Sequence, residues 1–207
     1  MRLWLICAAA IMVASCEKKD DLAPVIQVLQ DSVDVHYRTI PYNDPGVLVL
    51  DNHTCDIDEL LTIDNNVDIW RYGSYEVIYT ATDMSENTTQ EIREVDIVLR
   101  PEDYYDLTYD ATDICDGISF SYTGIIQDCD CDTLAVTVGN ISNFGLSATF
   151  TLPLDGTYNE MILMDTTKAG VTFNGNGIIS PGADTIVWSY TISTDSETNV
   201  CTSTWVK

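Results

Sequence analysis

Apolar residues recur at every second position through much of the chain after Pro24, and this period is typical of half-buried β-strands. In the segment 75–82, Tyr75, Val77 and Tyr79 fall on one face of a strand, and the residues between them fall on the other. The same alternation predicts strands at 95–99, 118–122, 134–138, 148–152 and 186–192. Because no convincing helix of ten or more residues emerges, we expect an all-β protein.

Turn-forming residues divide the chain into two domains. The segment 100–103, Arg-Pro-Glu-Asp, breaks the alternation, and Pro101 cannot donate a hydrogen bond to a central ladder. We therefore predict domains at 24–100 and 101–207, which fit the usual size range of domains. Glycine-rich turn signals separate the strands of the second domain, as in an antiparallel β-sandwich or a partly open barrel.

Residues 1–15 have the anatomy of a secretory signal peptide. Arg2 is followed by an apolar run at 3–13 and then by small residues, and this run is too short to span a bilayer. Residues 13–16, Val-Ala-Ser-Cys, resemble the lipobox of bacterial lipoproteins. The resemblance implies that Cys16 is acylated and that residues 16–23 form a polar tether on a permanent lipid anchor. An ordinary secreted protein with Cys16 in a disulfide is the alternative.

The residues that follow the cysteine carry mixed charges. The run 17–21, Glu-Lys-Lys-Asp-Asp, resembles the export signals that send lipoproteins of Bacteroidota to the outside of the outer membrane. This resemblance implies an outer-membrane protein that is exposed at the cell surface. The alternative is a solvated tether without a signal, because short charged runs are usually only that.

Two segments of the first domain resemble bacterial immunoglobulin-like (Ig-like) domains related to hyalin repeats. Residues 42–47, Tyr-Asn-Asp-Pro-Gly-Val, match the Asp-Pro-Gly turn of that family, and residues 73–83 match its penultimate strand. Asn87 stands where the family ends a Gly-Asn turn, but Glu86 replaces the glycine and tolerates a positive φ poorly. The resemblance implies an Ig-like β-sandwich over residues 24–100 that serves as a spacer or an adhesive module.

The second domain has Cys115 near its start, Gly-Asn-Gly at 175–177 before the strand at 186–192, and a terminal segment at 201–207. In these features it resembles a β-rich C-terminal module of uncharacterised Bacteroidota lipoproteins. Of seven cysteines, Cys7 leaves with the leader and Cys16 takes the lipid. Thiols outside the inner membrane tend to oxidise, and we predict a disulfide between Cys115 and Cys201. This disulfide would close a long loop and so stabilise the domain by about 4 kcal/mol in the chain-entropy model. The pairing of the other three, Cys55, Cys129 and Cys131, stays open.

The charge of the chain restricts its partners and its chemistry. Nine Lys and Arg against 33 Asp and Glu give a net charge of -24, which argues against a nucleic-acid partner. With two histidines and no serine elbow, paired zinc motif or phosphate-binding glycine loop, we expect no enzyme. Asp128, Asp130 and Asp132 share one face of an extended segment and form a weak calcium candidate, although a solvated acidic turn is the more usual explanation.

Aromatic residues are the remaining lead towards a ligand. Trp70 and Tyr72 lie just before a strand, and an exposed tryptophan there would stack on the apolar face of a sugar ring. Packing in the core or at an edge is the alternative for Trp70, and Trp188 and Trp205 fit the core better.

These features predict a non-catalytic lipoprotein that acts as a binding or structural module at the cell surface. One specific hypothesis is a glycan-binding accessory of a polysaccharide uptake system, which requires an exposed aromatic platform. Another is an adhesin or a component of envelope assembly, which requires a protein partner and fits a flat face that is poor in aromatic residues.

Overall fold

The computed structural model describes residues 20–30, 33–52, 61–129, 135–143, 145, 147–151 and 159–207. These ranges contain fourteen β-strands and two three-residue 3₁₀ turns, at 101–103 and 141–143, which confirms the all-β prediction. Within the same ranges, no helix is long and apolar enough to cross a bilayer. The strands are β1 (Val25–Val28), β2 (Val33–Tyr37), β3 (Val47–Leu50), β4 (Leu61–Asn65), β5 (Gly73–Thr82), β6 (Thr88–Val98), β7 (Leu107–Cys115), β8 (Ile118–Asp128), β9 (Ala135–Gly139), β10 (Ser147–Thr151), β11 (Glu160–Lys168), β12 (Val171–Ile179), β13 (Thr185–Ser193) and β14 (Thr198–Val206).

The first six strands form two sheets that enclose a small apolar core. β1 pairs with β3, and the second sheet has the order β2-β6-β5-β4, in which β2 runs parallel to β6. Because side chains alternate between the two faces of a strand, every second residue of β5 and β6 points inward. Burial of these apolar side chains drives the two sheets together. The buried set is Ile26, Val49, Val77, Tyr79, Ala81, Val95 and Ile97.

A buried arginine connects the two sheets. Arg93 of β6 is 1% exposed, and its Nη2 donates to the carbonyl oxygens of Leu29 at 2.5 Å and Gly46 at 3.3 Å. Its Nε lies 3.3 Å from Oδ1 of Asp44, which also accepts the hydroxyl of Tyr79 at 2.5 Å. A buried cation needs such a counter-ion and acceptors. The Asp-Pro-Gly turn therefore has a structural role, since its aspartate neutralises Arg93.

The second domain is a closed barrel of eight antiparallel strands. Each strand from β7 to β14 pairs with its neighbour in sequence, and β14 returns to pair with β7. Among the described residues, the β7–β14 seam includes six residue pairs, and the β10–β11 seam includes the pair of Thr151 with Ile162. The sequence left a sandwich and a partly open barrel as alternatives, and the strand order of the structure is that of a closed barrel.

Aromatic side chains fill the interior of the barrel. Trp188 lies at the centre, with ring centroids 5.0 Å from Phe150 and 5.3 Å from Trp205, and both tryptophans are buried as predicted. Gly124 and Gly177 make room for them, because a Cβ at either position would overlap the indole of Trp205 or Trp188. The packing leaves a void of only about 10 Å³, which is the size of one water molecule.

Both ends of the barrel are covered by segments of the chain itself. At one end, Ile141 and Ser142 of the 141–143 turn are buried. At the other end, Leu99 and Tyr104 flank the 101–103 turn and belong to the same core as the barrel residues. The connection between the two domains is therefore part of the packed structure.

A disulfide joins Cys115 at the end of β7 to Cys201 of β14, which is the pair expected from the sequence. The two residues are directly opposite in the antiparallel register, with their Cα atoms 4.2 Å apart. The bond closes the first strand of the barrel onto the last. Cys129 is also disulfide-bonded.

The turn between β5 and β6 keeps a left-handed residue at the position where the family has glycine. Glu86 has a φ of 70°, and its N–H donates to the carbonyl of Asp83 at 3.1 Å. The Asp83 carboxylate accepts the N–H groups of Ser85 and Asn87, both at 2.8 Å. These hydrogen bonds together stabilise the turn, so the turn forms although the backbone of Glu86 is strained.

We predict that Glu86→Gly raises the free energy of unfolding by about 1 kcal/mol, because glycine removes the cost of a side chain at positive φ. Chemical denaturation measures the change. Met84→Gly is the matched control in the same turn and should lower stability. Met84 lacks a positive φ, so glycine at this position only increases the conformational entropy of the unfolded chain. Equal effects of the two substitutions would contradict the explanation.

Candidate functional site

The two domains meet at a junction formed by residues 37–40, 68–73 and 99–100 of the first domain and residues 101–104, 179–184 and 206–207 of the second. Arg38 is its central residue. Its Nε donates to the carbonyl of Trp70 at 2.7 Å, and its Nη2 donates to the carbonyl of Gly182 at 2.5 Å. Its Nη1 lies 3.5 Å from Oδ1 of Asp103, whose side chain is 6% exposed. One guanidinium thus binds both domains and the turn that connects them.

Tyr72 makes the second link across the junction. Its hydroxyl donates to the carbonyl of Ile179 at 2.9 Å, and its N–H donates to the carbonyl of Pro181 at 3.0 Å. The ring is half-buried against the barrel core. The sequence singled out Tyr72 as a ligand contact, but here its hydroxyl and its ring hold the two domains together.

Lys207 and Arg100 add charge to the same region. The Lys207 Nζ donates to the carbonyl of Asp103 at 2.6 Å, and Arg100 lies 3.8 Å from the Asp103 carboxylate. Desolvation and the nearby charge of Arg38 lower the pKa of Lys207. A hydrogen bond from Ser180 lowers the pKa of Asp184, and the charge of Lys207 adds to this effect.

Trp70 is exposed on the first-domain side of the junction. Its side chain is 62% exposed, and the neighbouring Arg71 is exposed too. The backbone of Trp70 is fixed, since its N–H donates to Asp68 Oδ1 at 2.9 Å and its carbonyl accepts Arg38. Tyr37, at the end of β2, is 50% exposed. Packing of Trp70 in the core does not occur, so its ring is accessible to a ligand.

The N-terminal segment is clamped to the opposite end of the first domain. The Asn87 Nδ2 donates to the carbonyls of Asp20 at 2.9 Å and Leu22 at 3.3 Å, and to Oδ2 of Asp83 at 2.7 Å. Asp20 is buried, and its Oδ1 accepts Asn52 Nδ2 at 3.3 Å. The asparagine of the family turn therefore fixes the point where the tether enters the domain.

Three carboxylates meet beside this clamp. Asp20, Asp51 and Asp83 each place an oxygen within 4.8 Å of the others, which is close enough to hold a hard cation. Amide and backbone N–H donors already bind the oxygens of Asp20 and Asp83. The proximity of the three carboxylates is therefore explained by the hydrogen bonds that hold the N-terminal segment to the domain. The sequence missed this trio because its members are far apart in the chain.

A carboxylate lies inside the barrel. Asp113 is fully buried and accepts the hydroxyls of Tyr122, at 2.9 Å, and Tyr190. The Tyr122 hydroxyl in turn accepts the N–H of Ser142 at 3.0 Å, which ties the 141–143 turn to the interior. Burial, together with Asp113, raises the pKa of Tyr122 to about 12 and also raises that of Tyr190. These tyrosines act as neutral donors that satisfy the buried carboxylate.

The calcium candidate of the sequence is only partly described. Asp128 is exposed at the end of β8, and Asp130 and Asp132 lie outside the described residues. Cys16, Cys55 and Cys131 also lie outside them. Their predicted roles therefore stay predictions.

Comparison with known proteins identifies the first domain. Residues 38–97 match the family model described as "Bacterial surface protein, Ig-like domain", which confirms the resemblance found in the turn and strand motifs. A solved structure, the lipoprotein BT2262 from Bacteroides thetaiotaomicron, is similar with a TM-score of 0.35 and 17% identity, covering 87% of this chain and 98% of that chain. No curated protein matches the chain.

We predict that Arg38→Ala lowers the free energy of unfolding by about 2 to 3 kcal/mol, because it removes two charged hydrogen bonds and an ion partner of the buried Asp103. Small-angle X-ray scattering of the soluble chain should change from one conformation to an ensemble of domain orientations. Arg71→Ala is the matched control, since Arg71 is an exposed arginine next to the junction. Wild-type stability and scattering in Arg38→Ala would show that these bonds do not fix the domains.

Proposed function

From a chain whose residues 38–97 form an Ig-like domain of bacterial surface proteins, we propose a non-catalytic lipoprotein anchored in the outer membrane and exposed at the cell surface. The Ig-like domain acts as a rigid support, and the barrel is the module that it presents. The observation that carries this proposal is the junction, in which Arg38 and Tyr72 bind the backbone of the barrel.

The order of the parts along the molecule supports this role. β5 runs from the junction to the turn that clamps the tether, and its ten residues span about 30 Å. β7 begins beside the junction, and its nine residues span about 27 Å along the direction of the strand. The tether and the far end of the barrel thus lie at opposite ends of their domains, with the junction between them.

The anchor is tested with Cys16→Ala in cells that process lipoproteins. We expect the substitution to abolish incorporation of labelled palmitate and to release the protein from the membrane fraction, because the thiol is the acylated group. Cys7→Ala is the matched control and should leave both unchanged. In the wild type, protease added to intact cells should degrade the protein. Full acylation of Cys16→Ala would refute the anchor, and protection from protease would refute surface exposure.

Glycan binding is a second candidate, favoured by the exposure of Trp70. A ring that is 62% exposed beside an exposed arginine offers a stacking surface and a hydrogen-bond donor for a saccharide. A protein with this activity would serve as an accessory of a polysaccharide uptake system. On a glycan array, Trp70→Ala should weaken binding at least tenfold, whereas Met84→Ala, an exposed apolar side chain at the other end of the domain, should leave it unchanged. A wild-type chain that binds no glycan would eliminate this candidate.

A protein partner is favoured by the outer face of the barrel. Two cross-strand rows run over β7, β14, β13 and β12, and all eight of their side chains are uncharged and non-aromatic. The rows are Ile114, Thr202, Ser189 and Asn176, and Thr112, Thr204, Val187 and Ile178. In a chain of net charge -24, such a surface suits an adhesin or a component of envelope assembly. Cross-linking on intact cells is the next experiment if no glycan binds.

A further inference from the structure

The end of the Ig-like domain that receives the tether exposes a group of apolar side chains, here called the basal patch. Leu22, Val25, Leu50 and Met84 are 63%, 60%, 52% and 86% exposed. Val25 and Leu50 are directly opposite in the β1–β3 register, and together with Leu22 they line one open groove. Met84 belongs to the turn whose Asn87 binds the backbone of Leu22. Four large apolar groups thus face solvent at one end of the domain.

The length of the tether restricts what this patch can meet. Only residues 17–19 separate Cys16 from Asp20, where the Asn87 clamp begins. Four Cα–Cα steps span at most about 14 Å in a fully extended chain. If Cys16 carries acyl chains in a bilayer, the clamped end of the domain must therefore lie within this distance of the lipid. The junction and the barrel lie at the other end of the domain.

The charges at this end do not favour attraction to anionic lipid, because acidic residues outnumber Lys18 and Lys19 of the tether. Asp20, Asp21, Asp51, Asp83 and Glu86 surround the basal patch. The cationic residues in the described part of the chain lie elsewhere: Arg38, Arg71, Arg100 and Lys207 at the junction, Arg93 in the core and Lys168 at the end of β11. Contact with a bilayer must then come from apolar side chains at the headgroup boundary, and it fits uncharged, zwitterionic headgroups.

We propose that the basal patch docks on the surface of the bilayer that holds the Cys16 lipid, and that this contact makes the molecule stand with its barrel away from the membrane. The proposal rests on the lipid anchor of the proposed function. Leu22, Val25, Leu50 and Met84 insert at the headgroup boundary, while the exposed acidic residues Asp21 and Glu86 stay in water. The anchor holds the protein at the membrane, and the patch sets its orientation.

Oxidation of Met84 reports this contact directly. The full acylated chain is attached to vesicles of phosphatidylcholine and phosphatidylethanolamine and exposed briefly to hydroxyl radicals, and oxidation at Met84 is measured by mass spectrometry. Cys16→Ala protein in the same vesicle suspension is the unanchored reference. We expect attachment to lower Met84 oxidation at least threefold. Ile118→Met supplies a matched reporter, because Ile118 is 70% exposed at the far end of the barrel, and oxidation there should not change.

The outcomes separate this proposal from the anchor on which it rests. If the wild-type chain does not float with vesicles, the anchor fails. If it floats but Met84 oxidises as fast as in the reference, the anchor stands and the docking of the basal patch is refuted. Protection at both Met84 and the Ile118→Met position would mean that the molecule lies on its side, which also refutes the orientation. Replacing a third of the lipid by phosphatidylglycerol should weaken the protection at Met84 because the rim of the patch is acidic.

Discussion

The arrangement of the two domains depends above all on one half-buried cation, the guanidinium of Arg38. A planar group with five N–H donors has a fixed set of directions in which it binds, and here these directions point to Trp70, Gly182 and Asp103. Separating the domains would leave the Asp103 carboxylate without this partner. The relative placement of the Ig-like domain and the barrel is therefore set by hydrogen-bond geometry as well as by the short chain between them.

Features that depend on local order were predictable from the sequence. The period of two in residues 75–82 gives the inward face of β5, because side chains alternate across any strand. The Asp-Pro-Gly turn and the strand at 73–83 were sufficient to identify the Ig-like domain, and Pro101 marks the point where its sheet ends. The Cys115–Cys201 pair joins residues that are 86 positions apart, and it was predictable because one cysteine lies in the first strand of the second domain and the other in the last.

Features that depend on distant partners were not predictable. Tyr72 is within reach of Ile179 although the two are 107 positions apart, and nothing in the residues around Tyr72 signals a domain contact. The same holds for Asp113, whose tyrosine partners come from β8 and β13, and for the trio of Asp20, Asp51 and Asp83. Closure of the barrel pairs β10 with β11, and neither strand has a sequence pattern that marks the other as its partner.

The parallel pairing of β2 and β6 has a mechanical consequence. β1 follows the N-terminal segment and leads into β2, and β6 leads directly into the junction, so tension along the chain that passes β1 is carried by the neighbouring strands β2 and β6. Because they run in the same direction, the load acts along their ladder and stresses its hydrogen bonds in shear. The five residue pairs from Val33 with Glu94 to Tyr37 with Val98 must then yield together instead of one after another, which makes the support resistant to pulling.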